Sequence, residues 1–122
     1  MLNLDTNILL AALSGTLDRG ELKLLATSQW SISAIVLWEL SKLSQLNRIS
    51  LSLDDPEVVR NLSKIHVWPL TLEICREIKN LDFKSDPADE LIAATSIIHK
   101  VPLITRDRKI RKSKKVPLAE PV

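Results

Sequence analysis

Met1-Leu2-Asn3-Leu4-Asp5-Thr6-Asn7 is the stretch from which the fold can be read. Leu2 and Leu4 alternate with Asn3, the period of a short β-strand. Ile8-Leu9-Leu10-Ala11-Ala12-Leu13 follows at once and suits a helix. Asp5 therefore stands where a strand ends and a helix begins, between apolar neighbours. A carboxylate in such a place is costly unless something pairs with it. The rest of the chain must supply that partner.

Working outward, Ser14-Gly15-Thr16 reads as a turn and Glu21 to Thr27 as a short helix. Trp30-Ser31-Ile32 suits a second strand. Ser33 then caps a helix from Ala34 to about Leu46, with Ile35, Val36, Leu40, Leu43 and Leu46 as its apolar stripe. Asp54-Asp55-Pro56-Glu57 opens another helix, with acids near its positive end and Val58, Val59, Leu62 and Ile65 on one face. Val67-Trp68-Pro69-Leu70 is proline-broken, so it is an edge strand or an extended link.

Thr71 caps a helix through about Lys79, with Ile74, Cys75 and Ile78 expected inward. Ser85-Asp86-Pro87-Ala88-Asp89 opens the next helix, which is apolar or small nearly all round through Ile98 and therefore buried. Val101-Pro102-Leu103-Ile104-Thr105 is a continuous apolar strand of the kind found in parallel sheets. Asp107 begins a short basic helix, and Val116 to Leu118 form a last strand. Helices alternating with short strands predict an α/β domain: a short, mostly parallel central sheet with helices on both faces.

The 122 residues, 45% hydrophobic and 26% charged, fit one domain spanning 1–122. The lone Cys75 cannot close a disulfide within the chain, and no apolar run approaches the ~20 residues that span a bilayer. These features lead us to expect a cytoplasmic protein with no membrane partner. The net charge of +2 is unevenly laid out. Residues 106–115 hold seven basic side chains and one acid, so they carry +6 and leave −4 on the rest. Such a run suits an anionic partner or a solvated edge.

Four acids stand out. Asp5 and Asp107 follow the carboxyl ends of two strands, where sites form in open parallel sheets; Asp107 equally suits a helix cap. Glu39 borders the apolar face of its helix, and a salt bridge to Lys42 is its plain alternative. Asp89 falls at the third position of a helix that Asp86 caps and Pro87 enters, which also favours an acid on dipole grounds. Gathered without cations, four carboxylates would repel one another and raise one another's pKa values. A hard divalent cation relieves that repulsion, and one or two such ions can drive phosphodiester hydrolysis.

Leu4-Asp5-Thr6-Asn7, Leu37-Trp38-Glu39-Leu40, Asp86-Pro87-Ala88-Asp89-Glu90-Leu91-Ile92-Ala93-Ala94-Thr95 and Leu103-Ile104-Thr105-Arg106-Asp107 occur in the order of a PIN domain. The set resembles the VapC-type toxins of toxin–antitoxin pairs across essentially the whole chain. That resemblance implies a three-layer α/β/α fold and an endoribonuclease dependent on Mg²⁺ or Mn²⁺, with one or two ions. Asp5, Glu39, Asp89 and Asp107 match the acidic constellation, with Asp5, Asp89 and Asp107 as metal ligands. Thr6, Asn7, Asp86 and Thr105 match supporting polar positions. Arg106, Arg108, Lys109, Arg111 and Lys112 would meet RNA. A homodimer and a cognate antitoxin are the implied protein partners. One position departs from the family: Glu90 stands where Arg is frequent.

The alternatives are a housekeeping RNA-processing nuclease of the same fold and a catalytically silent nucleic-acid-binding module. A phosphotransfer receiver ranks last, because Lys42, Lys84 and Lys100 offer it no convincing partner. His66, His99, Cys75, Trp30, Trp38 and Trp68 are expected in packing or interface roles.

Overall fold

In the computed structural model, residues 1–120 are described. Four parallel strands form the sheet: β1 (Leu2–Leu4), β2 (Trp30–Ser33), β3 (His66–Trp68) and β4 (Leu103–Ile104), in the order β3-β2-β1-β4. Asn3 pairs with Ser31 on one side and with Leu103 on the other, so β1 is central. Ser33 pairs with Trp68 at the β3 edge, just before Pro69. That edge position is where a proline after the strand breaks no ladder. The expected last strand reduces to one parallel bridge, Leu103 with Leu118.

Helices flank the sheet: α1 (Thr6–Ser14), α2 (Arg19–Ala26), α3 (Ala34–Gln45), α4 (Pro56–Leu62), α5 (Leu72–Glu77), α6 (Pro87–His99) and α7 (Arg108–Arg111), with a 3-10 turn at Ile78–Asn80. Caps set their starts. Asp18 and Glu21 form a reciprocal capping box on α2, Ser33 accepts from the Ile35 N–H, and Thr71 accepts from the Ile74 N–H. The core joins Leu4, Ile8, Leu9, Ile32, Leu40, Ile92, Leu103 and Ile104, all essentially inaccessible to solvent. Among the described residues, no helix is long and apolar enough to cross a membrane.

Three expectations about faces need correction. Cys75 is exposed, while Ile74 beside it is fully buried. The helix is six residues long and runs into the 3-10 turn, whose tighter winding moves Ile78 off the line that an α-helix would continue. Leu46 is 57% exposed because α3 ends at Gln45 and leaves it past the last turn. Val59 is half-exposed rather than inward. Trp68 does pack: its ring stacks on His99 at 4.0 Å and meets His66 edge-on at 4.2 Å, whereas Trp38 is exposed.

Helix α6 ends on Lys100 in the left-handed region, φ 54°. That conformation suits glycine and is strained for other L-residues. Lys100→Gly is therefore expected to stabilise the protein by about 0.5–1 kcal/mol, a few degrees in thermal midpoint. Differential scanning calorimetry reads this directly.

Candidate active site

The chain leaves β1 towards β2 and β3, then returns past β1 to lay down β4 on its other side. The strand order therefore reverses between β1 and β4. Such a reversal opens a crevice at the carboxyl ends of the two strands, because their following segments diverge. Asp5 follows β1, and Thr105-Arg106-Asp107 follows β4.

Asp5 is buried and held at both oxygens: the Thr6 N–H donates to Oδ1 at 2.8 Å and the Thr105 hydroxyl to Oδ2 at 2.5 Å. The Thr105 hydroxyl also accepts from the Asp107 N–H at 3.0 Å, so one side chain ties the two strand ends together. From the other side, the Thr6 hydroxyl donates to Glu39 on α3. Glu39 thus has a site-facing partner, and Lys42 bonds to Gln45 instead of bridging to it. Asn7 lies exposed at the second position of α1.

The start of α6 supplies the next carboxylates. Asp89 Oδ2 accepts from the Ser85 hydroxyl at 2.9 Å, and Glu90 reaches back to accept from the Ser85 N–H at 3.3 Å. Asp86 occupies the N-cap backbone position, but its side chain makes no capping hydrogen bond. This corrects the expectation that its carboxylate would turn towards the helix amides. Glu90 already fastens the entering turn, and Asp86 lines a cleft of about 630 Å³ with Lys84, Ser85, Asp89, Asp107, Arg108 and Lys109. Ser85 is a polar contributor that the sequence reading missed. Its only signal was a hydroxyl four residues before Asp89.

Asp107 is both cap and site residue. Its Oδ1 accepts from the Lys109 and Ile110 N–H groups, and its side chain borders the same cleft. A larger cavity of about 730 Å³ opens near the amino ends of the strands, among Leu13, Trp30, Lys64 and His66. No carboxylate lines it, so the smaller cleft is the one that gathers acids.

Electrostatics separate these acids from ordinary surface carboxylates. Burial pushes the Asp5 carboxyl above its usual range, more than the Thr105 and Thr6 hydrogen bonds lower it, and Asp89 and Asp107 push the same way. Burial likewise raises Glu39 against its Thr6 hydrogen bond, with Asp89, Asp5 and Asp86 adding to it. Asp89 is raised by burial, with further repulsion from Asp107 and Asp86. Three acids on three elements thus share a field that disfavours their ionised forms.

Raised folded-state pKa values fix a sign. Such groups favour the fold fully below their unfolded pKa values, near 4, and that contribution is lost as pH rises through the higher folded values. Metal-free protein is expected to gain stability from these three acids as the pH is lowered from 7 to 4. Added Mn²⁺ at pH 7 should recover much of the same gain. Urea melts at the two pH values, with EDTA or Mn²⁺, check this; a neutral-pH maximum in EDTA unaffected by Mn²⁺ would contradict it.

The donor set fits a hard divalent cation in kind. Among the described residues, no three carboxylate, imidazole or thiol groups are already drawn close enough to hold a metal ion. Mg²⁺ does not need such a cage, since it keeps several waters and uses one or two carboxylates. Asp5, Asp89 and Asp107 are the side chains that would hold it.

The PIN domain family profile matches residues 3–116. The chain belongs to the PIN domain family. The PIN fold also appears in solved structures that superpose over nearly the full length. A toxin–antitoxin complex from Klebsiella pneumoniae has TM-score 0.74 at 22% identity, covering 100% of this chain and 98% of that one. VapBC2 from Rickettsia felis, bound to a DNA fragment from their promoter, gives 0.72 at 24% identity, covering 98% of each. FitAcB from Neisseria gonorrhoeae gives 0.71 at 21%, covering 99% and 98%. No curated protein sequence matches.

The five basic residues expected to face an anionic partner separate within this PIN domain. Arg108 and Lys109, at the start of α7, line the acidic cleft, and Arg111 and Lys112, at its end, are exposed. Arg106 differs from the expectation. Its guanidinium grips Glu21 through Nε to Oε2 at 2.8 Å and a terminal nitrogen to Oε1 at 2.7 Å, with a further bond to the Thr16 carbonyl at 3.3 Å. It fastens α2 to the loop that carries Asp107.

Proposed function

We propose that this PIN domain is a Mg²⁺- or Mn²⁺-dependent endoribonuclease and the toxin half of a toxin–antitoxin pair. One observation carries the reading: mutually repelling carboxylates at the strand-order reversal, Asp5 buried and Asp89 half-buried, beside a cleft walled by Lys84, Arg108 and Lys109. Acids so placed destabilise the metal-free fold, so their arrangement makes sense if a cation occupies the site. When bound, such an ion supplies Lewis-acid polarisation of the phosphodiester and activation of water.

The chain's own groups have distinct tasks. Thr6 and Thr105 fix the Asp5 carboxylate from both sides, and Thr6 also orients Glu39. Glu39, with its raised pKa, is suited to take the proton of the attacking water. Lys84, Arg108 and Lys109 attract the polyanion to a pocket whose floor is acidic. An anionic substrate with a scissile phosphodiester satisfies both charges.

The VapBC and FitAcB complexes among the structural neighbours support an antitoxin partner, while the homodimer rests on the family resemblance alone. Trp38, 55% exposed and one residue from Glu39, is a side chain that such a partner would cover. A housekeeping processing nuclease shares all of this geometry. Growth arrest on expression without an antitoxin separates the toxin from it.

Purified protein with Mn²⁺ is expected to cut RNA internally and to stop on EDTA. Arg108→Ala with Lys109→Ala should lower the slope of log affinity against log salt by about 1–2, each basic residue counting for roughly one released ion. Cleavage that persists in EDTA, or an RNA affinity that stays flat across a salt titration, would contradict the proposal.

A further inference from the structure

Asn3 is fully buried at the centre of β1, among the apolar residues of the core. Its Nδ2 donates to the Ser96 hydroxyl of α6 at 2.9 Å and to the Ile92 carbonyl at 3.4 Å, while its Oδ1 has no partner. Ser96 is equally buried. A buried amide left partly unsatisfied works against stability. Its directional bond to Ser96 gives it a task that an apolar residue could not perform.

The placement indicates which. Side chains alternate along an extended chain, so Asn3 and Asp5 share one face. Asn3 grips α6 at Ile92 and Ser96, and Asp89 lies seven residues before Ser96, two turns along the same face. From Asn3 to Asp5 the strand advances about 6.6 Å. Along α6, which runs back against the strands, that distance spans four to five residues at about 1.5 Å each. Counted back from Ile92, whose carbonyl Asn3 meets, that brings Asp5 level with the first turn of α6, where Asp89 stands. A slip of one helical turn would shift Asp89 by about 5.4 Å and take it out of reach.

We propose that Asn3 and Ser96 form a register pin between β1 and α6 that sets the Asp5–Asp89 spacing and, through it, the affinity for the divalent cation. The inference rests on the metal-site reading above. Asn3 and Ser96 are positioning residues: neither touches the ion or the substrate. The apolar contacts between α6 and the sheet hold the helix down but can slide. The amide–hydroxyl bond is directional and fixes where they stop.

The test uses the full chain, with Mn²⁺ binding read by titration calorimetry and folding by thermal melts. Asn3→Leu and Ser96→Ala should each fold with a midpoint at or near that of wild type, yet bind Mn²⁺ some 10–100-fold more weakly, the usual range for outer-shell changes. Saturating Mn²⁺ should restore the cleavage rate. The double variant should lose no more than the worse single one, because both remove the same bond. The exchanged pair, Asn3→Ser with Ser96→Asn, should recover affinity. Folded variants that bind Mn²⁺ like wild type, or losses that multiply in the double variant, overturn the pin.

If wild type itself binds no Mn²⁺, the metal reading fails and amide exchange without metal decides the pin separately. Asn3→Leu should then speed exchange across Leu91–Ile97 about tenfold relative to the other helices. Unchanged exchange there overturns it.

Discussion

Asp5→Asn is expected to abolish RNA cleavage and, in the same molecule, to make the metal-free protein more stable. Both effects have one origin. Burial and the nearby Asp89 and Asp107 carboxylates penalise the ionised Asp5, which the two threonine hydrogen bonds offset only in part. The amide keeps the shape and removes the charge. The Thr6 N–H can still donate to Oδ1, and the Thr105 hydroxyl can turn to accept from the new NH₂. Stability in EDTA at pH 7 should rise on the order of 1 kcal/mol. Cleavage with Mn²⁺ should fall on the order of 10³-fold or more, as it does when a central member of a catalytic set is removed. Urea melts and an RNA gel assay on one preparation read both. A variant that cuts at near wild-type rate would remove Asp5 from the chemistry.

Arg106→Met carries the largest stability effect. Glu21 is buried, and its carboxyl lies below the ordinary range chiefly because of the Arg106 hydrogen bonds. Removing the guanidinium leaves a desolvated charge without its partner. Breaking a buried pair costs about 3–5 kcal/mol; the half-exposed Arg106 brings the expectation down to roughly 2–3 kcal/mol. The pH dependence has the opposite sign to that of Asp5. A lowered carboxyl contributes stability above its unfolded pKa and loses it as pH falls through the folded value. The deficit of Arg106→Met should therefore shrink in acid. The salt slope of RNA binding should match wild type for the folded fraction, unlike that of Arg108→Ala with Lys109→Ala. Equal slopes for the two variants would return Arg106 to the RNA-facing set.

Much of this architecture was legible because single residues carry two signals. Asp5 ends a strand and caps a helix, Ser33 does the same for β2 and α3, and Asp86-Pro87 marks the start of α6. Asp5, Asp89 and Asp107 could be gathered because each sits next to such a boundary, while Glu39, in the middle of α3, stood out by its apolar neighbours. What escaped was pairing across distance. Nothing local distinguishes Arg106 from the other cations of its run, since Glu21 lies 85 residues away. Asn3 read as a mere spacer between two leucines, although its partner is Ser96. Cys75 was misplaced because α5 is too short for its apolar spacing to define a face. Asp86 was assigned to capping by its position, but Glu90 took over fastening the turn.

The bond between Thr105 and Asp5 joins residues 100 positions apart. Synthesis runs in one direction, so Asp5 is made a hundred residues before Thr105. A ribosome-bound chain holding only the first hundred residues has three strands and no completed cleft. The cleft is therefore a late product of translation: its two walls meet only once β4 has been laid down beside β1.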